Sequence, residues 1–271
     1  MDFQVFVTAA LAISPPLPAQ ASGVVPTTVV VPTAAFVVPG GAMATPFVCD
    51  AGMKPVWGTH EEQLQRLCTD YRSGQCWRWF PGLHAGEGRR TPVATCMDEL
   101  EWPNRAGEEP MVMVRYVEAE SACKAVGKRL CTEFEWETAC EGPEALGFPY
   151  GDVHEPHACN NDKSYRAYSS KALESKDAQV RDKEVKRLYQ GEPLGSRPRC
   201  VSAFGVRDLV GNAEEWVSTS RPEWPFPSSL KGGYWSKPWS GCRGTNDSHG
   251  PMFRFYETGF RCCADPKPIA R

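Results

Sequence analysis

The sequence contains no Cys-x-x-Cys pair, no His-Glu-x-x-His and only five histidines. Zinc sites built on paired thiolates, or on two imidazoles of one helix face, need such spacings, so neither reading applies. No run of Lys and Arg forms a phosphate-tracking stripe. The net charge of −3 is too mild to steer the chain to nucleic acid or to an anionic membrane surface. The apolar run over residues 3–13 falls short of the roughly 20 residues that a bilayer-crossing helix needs, so no transmembrane segment is expected. A hydrolase is also disfavoured, because no nucleophile elbow or His–carboxylate pattern is present.

What the chain does have is cysteine. The twelve stand at Cys49, Cys68, Cys76, Cys96, Cys123, Cys131, Cys140, Cys159, Cys200, Cys242, Cys262 and Cys263. An even, high number with long spacings reads as disulfides formed in an oxidising compartment, hence a secreted or periplasmic, cell-envelope location. Residues 1–21 read as a candidate signal peptide: a short apolar run, then Ala19-Gln20-Ala21 as a small-residue cleavage site. Asp2 stands where a signal peptide carries Lys or Arg, so export rests more on the cysteines. Residues 22–46 hold repeated proline and no charge; they read as an extended tether, with an edge strand as the alternative for the Val-rich pieces. Residues 47–267 have globular composition and form the expected domain.

Within that domain, residues 49–100 are expected to be irregular, with short strands held by covalent links. Residues 116–127 place Val117, Ala119, Ala122, Cys123 and Val126 near helical spacing, and Gly127 is a good terminator. Thr132 and Glu135 form a capping box for a second helix, which Gly142 and Pro143 end. Glu133 and Glu135 point to different faces of it, so they read as capping and surface salt-bridge residues rather than as a catalytic pair. The charged segment 163–190 reads as an insertion, a solvent-facing helix or a surface excursion; Cys159 and Cys200 bracket it, and a disulfide between them would pin its base. From Val201 onward Gly, Trp and Tyr dominate, which suggests short strands and turns.

Four segments follow one another in an order that is itself a pattern. They are residues 127–137 (GKRLCTEFEWE), 148–152 (FPYGD), 204–217 (FGVRDLVGNAEEWV), and 231–235 (KGGYW) continuing through Cys242-Arg243 to Gly259-Phe260-Arg261-Cys262. This order resembles the formylglycine-generating-enzyme, or sulfatase-modifying-factor, family, with its G-x-R-L-P-T-E-A-E-W-E helix, Y-P-W-G turn, G-N-x-x-E-W segment and R-G-G-S-W … C-R … G-F-R end. The resemblance implies an α+β, variant C-type-lectin-like fold with low regular secondary structure and many disulfides. It also implies a range of activities, from copper-dependent oxidation of a peptidyl cysteine to non-enzymatic binding, so fold alone does not fix function.

The residues narrow that range. The family's copper site uses two cysteines five positions apart, a soft thiolate pair suited to Cu(I). Here the second position is Cys242 but the first is Lys237, and an ammonium cannot replace a thiolate. Cys242 is thus the sole candidate catalytic residue, and copper is not expected. The resemblance further implies a Cys123–Cys262 disulfide. Cys140 also matches a bridging position, but its usual partner position holds Asp247, leaving Cys242 as the candidate partner. The family's calcium ligands map onto Asp208, Gly211, Ala213 and Glu215, where carboxylates and turn carbonyls would supply oxygens; the alternative is that Asp208 and Glu215 merely hydrogen-bond the turn. A second calcium site maps more loosely onto Asn160 and Asn161. Trp216, Trp235, Trp239 and Tyr256 read as core rather than as a ligand groove. The expectation is an exported, non-catalytic binding or envelope-associated module that recognises a protein or small-molecule ligand. The alternative is a metal-dependent oxidoreductase modifying a protein or small molecule.

Overall fold

The computed structural model describes residues 47–72, 75–85, 88–221, 225–237 and 241–268. The 1–21 leader, the 22–46 tether and Trp239 lie outside the described residues. After β1 (Phe47–Val48), the segment expected to be irregular instead forms four extended strands: β2 (Met53–Glu61), β3 (Gln65–Arg72), β4 (Gln75–Ala85) and β5 (Arg90–Asp98). β2 and β5 pair antiparallel from Met53↔Asp98 to Glu61↔Arg90, and bury Val56, Val93 and Met97. The same strands also bury His60 and Thr95. Polar residues at inward positions break the apolar alternation by which strands are read from sequence. β3 and β4 form a bulged hairpin, cross-linked by Cys68–Cys76. It docks on the body through Trp79 N–H to Asp152 O (2.8 Å) and His154 N–H to Trp77 O (2.7 Å).

Helix α1 (Tyr116–Ala125) buries Tyr116, Ala119 and Cys123, and Gly127 turns the chain at φ 73°, a conformation that glycine adopts without a Cβ penalty. After β6 (Arg129–Leu130) comes α2 (Glu133–Glu141). Thr132 Oγ1 accepts from Glu135 N–H at 3.2 Å, and Glu135 Oε2 accepts from Thr132 N–H at 2.8 Å, which satisfies two of the orphan donors of the first turn. Gly142, at φ 65°, ends the helix. Glu133 and Glu135 are buried rather than at the surface, where cations compensate them: Lys231 and Arg221 for Glu133, Arg129 for Glu135.

The last third holds β7 (Glu214–Ser218), β8 (Ser228–Lys231), β9 (Thr245–Asn246), β10 (Thr258–Phe260), β11 (Cys262–Ala264) and β12 (Lys267–Pro268). Two four-stranded sheets result, ordered β2-β5-β11-β6 and β10-β7-β8-β9, with β10 and β7 parallel. Helix α2 packs against strands of both, and Trp136 on it is fully buried among Val56, Met97, Leu209, Val210 and Val217. β1 pairs with β12, so the two ends of the described domain meet. The charged segment 163–190 forms α3 (Ser170–Leu173) and α4 (Ala178–Leu188). Leu173 and Leu188 pack on Trp235 and Tyr256, while most other side chains of α4 remain exposed or half-buried.

All twelve cysteines are bridged: Cys49–Cys96, Cys68–Cys76, Cys123–Cys262, Cys131–Cys263, Cys140–Cys242 and Cys159–Cys200. The vicinal pair Cys262 and Cys263 ties β11 to α1 on one side and to the start of α2 on the other. The fold is α+β, disulfide-rich and low in regular structure.

Candidate functional site

Asp208 to Val217 enters the core through a turn with positive φ at Asp208 (57°), Gly211 (82°) and Asn212 (58°). At Gly211 a side chain would also collide with the Asn160 carbonyl, so glycine is required there on two counts. Beyond the turn, β7 carries Glu215 into a fully buried pair with Arg261. Oε1 accepts from Arg261 Nη2 and Oε2 from Arg261 Nε, both at 2.7 Å. Glu215 Oε2 also accepts from Trp136 Nε1 at 2.9 Å. Glu101 lies beside them, accepting from Ala213 N–H (2.8 Å) and from Asn212 Nδ2 (2.6 Å). Asp208 Oδ2 accepts from Gly195 N–H at 2.7 Å. Burial pushes Asp208 up to about 6; burial, with repulsion from Asp208 and Glu215, pushes Glu101 well above the usual carboxylate range.

Calcium is tested by this geometry. It takes six to eight oxygens, several from free carboxylates. Both oxygens of Glu215 are instead occupied by a guanidinium and an indole, and the cation of this centre is Arg261. Asn160 donates its amide to Gln190 O and Asn212 Oδ1, and Asn161, though buried, brings no carboxylate. Glu215 is thus engaged by Arg261 and Trp136 and Asp208 by Gly195 N–H, whereas Asn160 Oδ1 and Asn161 Oδ1 are buried without a hydrogen-bond partner. Among the described residues, no group of three or more His, Cys, Asp and Glu is arranged to hold a metal.

The copper pair fares no better. Cys242 is fully buried and bonded to Cys140. Lys237 lies 3.3 Å from Glu214 Oε1 as an ion pair. A disulfide sulfur has no thiolate to offer a soft cation.

Sequence reasoning missed two features. The first is a line of carboxylates on α2. Glu133, Glu137 and Glu141 recur at every fourth residue, all buried, and each meets a cation from elsewhere. Glu133 meets Lys231 (3.0 Å) and Arg221 (3.2 Å). Glu137 meets Lys231, Arg243 (3.1 Å) and His60 (2.6 Å). Glu141 meets Arg243 (2.7 Å) and Arg66 (2.8 Å). Burial alone would raise Glu137, but Lys231, the His60 hydrogen bond and Arg243 outweigh it and hold the carboxyl at about 2. The second is a cleft of about 550 Å³ between the β3–β4 hairpin and the 241–244 turn, bordered by Arg66, Tyr71, Trp79, Gly147 and Arg243. It opens beside the Cys140–Cys242 bridge. Trp216, Trp235 and Tyr256 do not line it; all three are buried.

A disulfide-locked α+β domain of variant C-type-lectin-like form, with Cys242 bridged and Glu215 paired to Arg261, is the class that these features define. The match to the sulfatase-modifying factor enzyme 1-like domain over residues 47–266 is more specific, and the chain belongs to that family. Curated relatives include hercynine oxygenase of Mycolicibacterium smegmatis, 28% identical over 241 residues, covering 78% of this chain and 49% of that protein. The formylglycine-generating enzyme of Mycobacterium tuberculosis is 28% identical over 147 residues, covering 54% and 42%. The inactive C-alpha-formylglycine-generating enzyme 2 of Bos taurus is 30% identical over 113 residues, covering 41% and 33%. The chain thus spans about half the length, or less, of these relatives. Among solved structures, CarF superposes with a TM-score of 0.49 at 14% identity, covering 80% of this chain and 98% of that one. No helix of the described residues is long and apolar enough to cross a membrane.

Proposed function

We propose that this chain is an exported sulfatase-modifying-factor-like domain that binds a protein or small-molecule ligand without transforming it, as a secreted, periplasmic or envelope-associated module. One observation carries the reading: the sulfur at the family's second copper-cysteine position, Cys242, is bonded to Cys140, while Lys237 fills the first. Six disulfides suit an oxidising compartment, and that a family relative bears the name inactive is compatible with binding alone. Calcium is not required by this reading: of the residues expected to hold it, Glu215 is engaged by Arg261 and Trp136 and Asp208 by Gly195 N–H. The rival, a metal-dependent oxidoreductase modifying a protein or small molecule, draws support from the hercynine oxygenase match. It would need donors other than Cys242. Peptide mapping of the unreduced protein, with Cu(I) titration of the same sample, separates the two. The binding reading expects a Cys140–Cys242 cross-linked peptide and no stoichiometric copper. A free Cys242 thiol that takes up copper would overturn it.

A further inference from the structure

The geometry points to the cleft between the β3–β4 hairpin and the 241–244 turn as a binding site for a small organic carboxylate with an apolar body. This rests on the binding reading and names the ligand chemistry for it. Among the described residues, the charged ones bordering the cleft are Arg66 and Arg243. Behind them stands one carboxylate, Glu141, which both guanidiniums share: Arg243 bidentately at 2.7 and 2.8 Å, and Arg66 through Nη2 at 2.8 Å. Arg243 also has Glu137 at 3.1 Å, and Arg66 feels the field of Asp152, whose Oδ1 accepts from Gly147 N–H.

Two donors are left over. Arg66 Nε and Trp79 Nε1 are buried and have no hydrogen-bond partner, although the side chain of Arg66 is only 7% exposed. A buried donor without an acceptor is destabilising, and each of these N–H groups is one that a carboxylate oxygen can satisfy. Burial, against the pull of Glu141, lowers the Arg66 pKa, and an anion delivered to the cleft would relieve that penalty. The indole lies over Gly147, where an added Cβ would come within 2.0 Å of Cδ1 and 2.4 Å of Nε1. Tyr71 and the Cys68–Cys76 bridge supply an apolar wall, and the volume falls in the range of small-molecule sites.

Phenylacetate, with phenylacetamide as its uncharged counterpart, tests this by calorimetric titration of the full chain. Wild type is expected to bind phenylacetate at least tenfold more tightly than the amide. Trp79→Phe, which keeps an aromatic side chain and removes the donor, is expected to lose several-fold in affinity, and Arg66→Gln at least tenfold; near-ultraviolet circular dichroism verifies that each variant retains its packing. No binding of phenylacetate at millimolar concentration, equal binding of the amide, or undiminished affinity in folded Trp79→Phe overturns the proposal. Disulfide mapping of the same samples keeps the two questions apart. An intact Cys140–Cys242 bridge without phenylacetate binding defeats the site alone, whereas a free Cys242 defeats the binding-module reading whatever the titration shows.

Discussion

Lys231 Nζ lies 3.0 Å from Glu133 Oε1 in a position from which solvent is fully excluded, and it also contacts Glu137 one helical turn on. The lysine that opens the Lys231-Gly232-Gly233 segment therefore neutralises the inner face of α2. Breaking a buried pair by removing one partner leaves an uncompensated charge, at a cost of about 3–5 kcal/mol. Lys231→Met removes the cation shared by Glu133 and Glu137 while Arg221, Arg243 and His60 remain, so stability measured by urea denaturation is expected to fall by up to that much. A loss below about 1 kcal/mol would show that Arg221, Arg243 and His60 suffice without it.

The Cys140–Cys242 bridge closes a loop with a sequence separation of 102. In the chain-entropy model such a loop contributes about 4–5 kcal/mol. Cys140→Ala with Cys242→Ala is expected to lower stability by up to that amount while leaving the other five bridges intact by peptide mapping. Unchanged denaturation would mean that α2 and the 241–244 turn are held by Glu141 and Arg243 alone.

Local signals carried well through the sequence, and distant partners did not. The capping box at Thr132 and Glu135 and the stop at Gly127 depend on residues within one turn of each other, so type and spacing suffice. The long strands β2 to β5 escaped because His60 and Thr95 occupy inward positions, and because the hairpin β3–β4 alternates between exposed and half-buried residues with no strong apolar face. The every-fourth-residue spacing of Glu133, Glu137 and Glu141 was visible on a helix whose extent was already read. Their cations, Lys231, Arg243 and Arg66, come from segments about 75 to 102 residues away. Glu215 was singled out from sequence, but its partner Arg261 entered only as a letter of the Gly-Phe-Arg motif. The cleft needed both the hairpin and the 241–244 turn, which no local pattern joins.

If Arg261 is the cation of the buried centre, calcium has nothing to stabilise. The melting temperature in excess EDTA and in millimolar calcium is expected to agree within about 1 °C. A seated ion at a hundred times its Kd would add about 2.7 kcal/mol, a shift of several degrees for a domain of this size. Such a shift, abolished by Glu215→Gln, would restore the calcium site and displace the guanidinium reading.

Glu257 gives the protein a pH dependence whose sign can be worked out. Its Oε2 is buried without a partner. Burial, with repulsion from Glu214 and against Lys237, raises the carboxyl from 4.5 to about 9. A folded-state value above the unfolded one means that unfolding releases a proton between those limits. The stability tied to the protonated form is therefore complete below about pH 4.5 and is lost as pH rises toward about 9. Glu257→Gln keeps the shape and removes the titration. Its urea midpoint is expected to fall less steeply than the wild-type midpoint between about pH 5 and pH 9, with a relative gain of up to about 6 kcal/mol at the alkaline end. Glu101 and Asp208, also raised, act in the same direction and leave a residual slope. A variant whose midpoint falls as steeply as the wild type's would show that Glu257 is ionised in the folded protein, with Lys237 outweighing its burial.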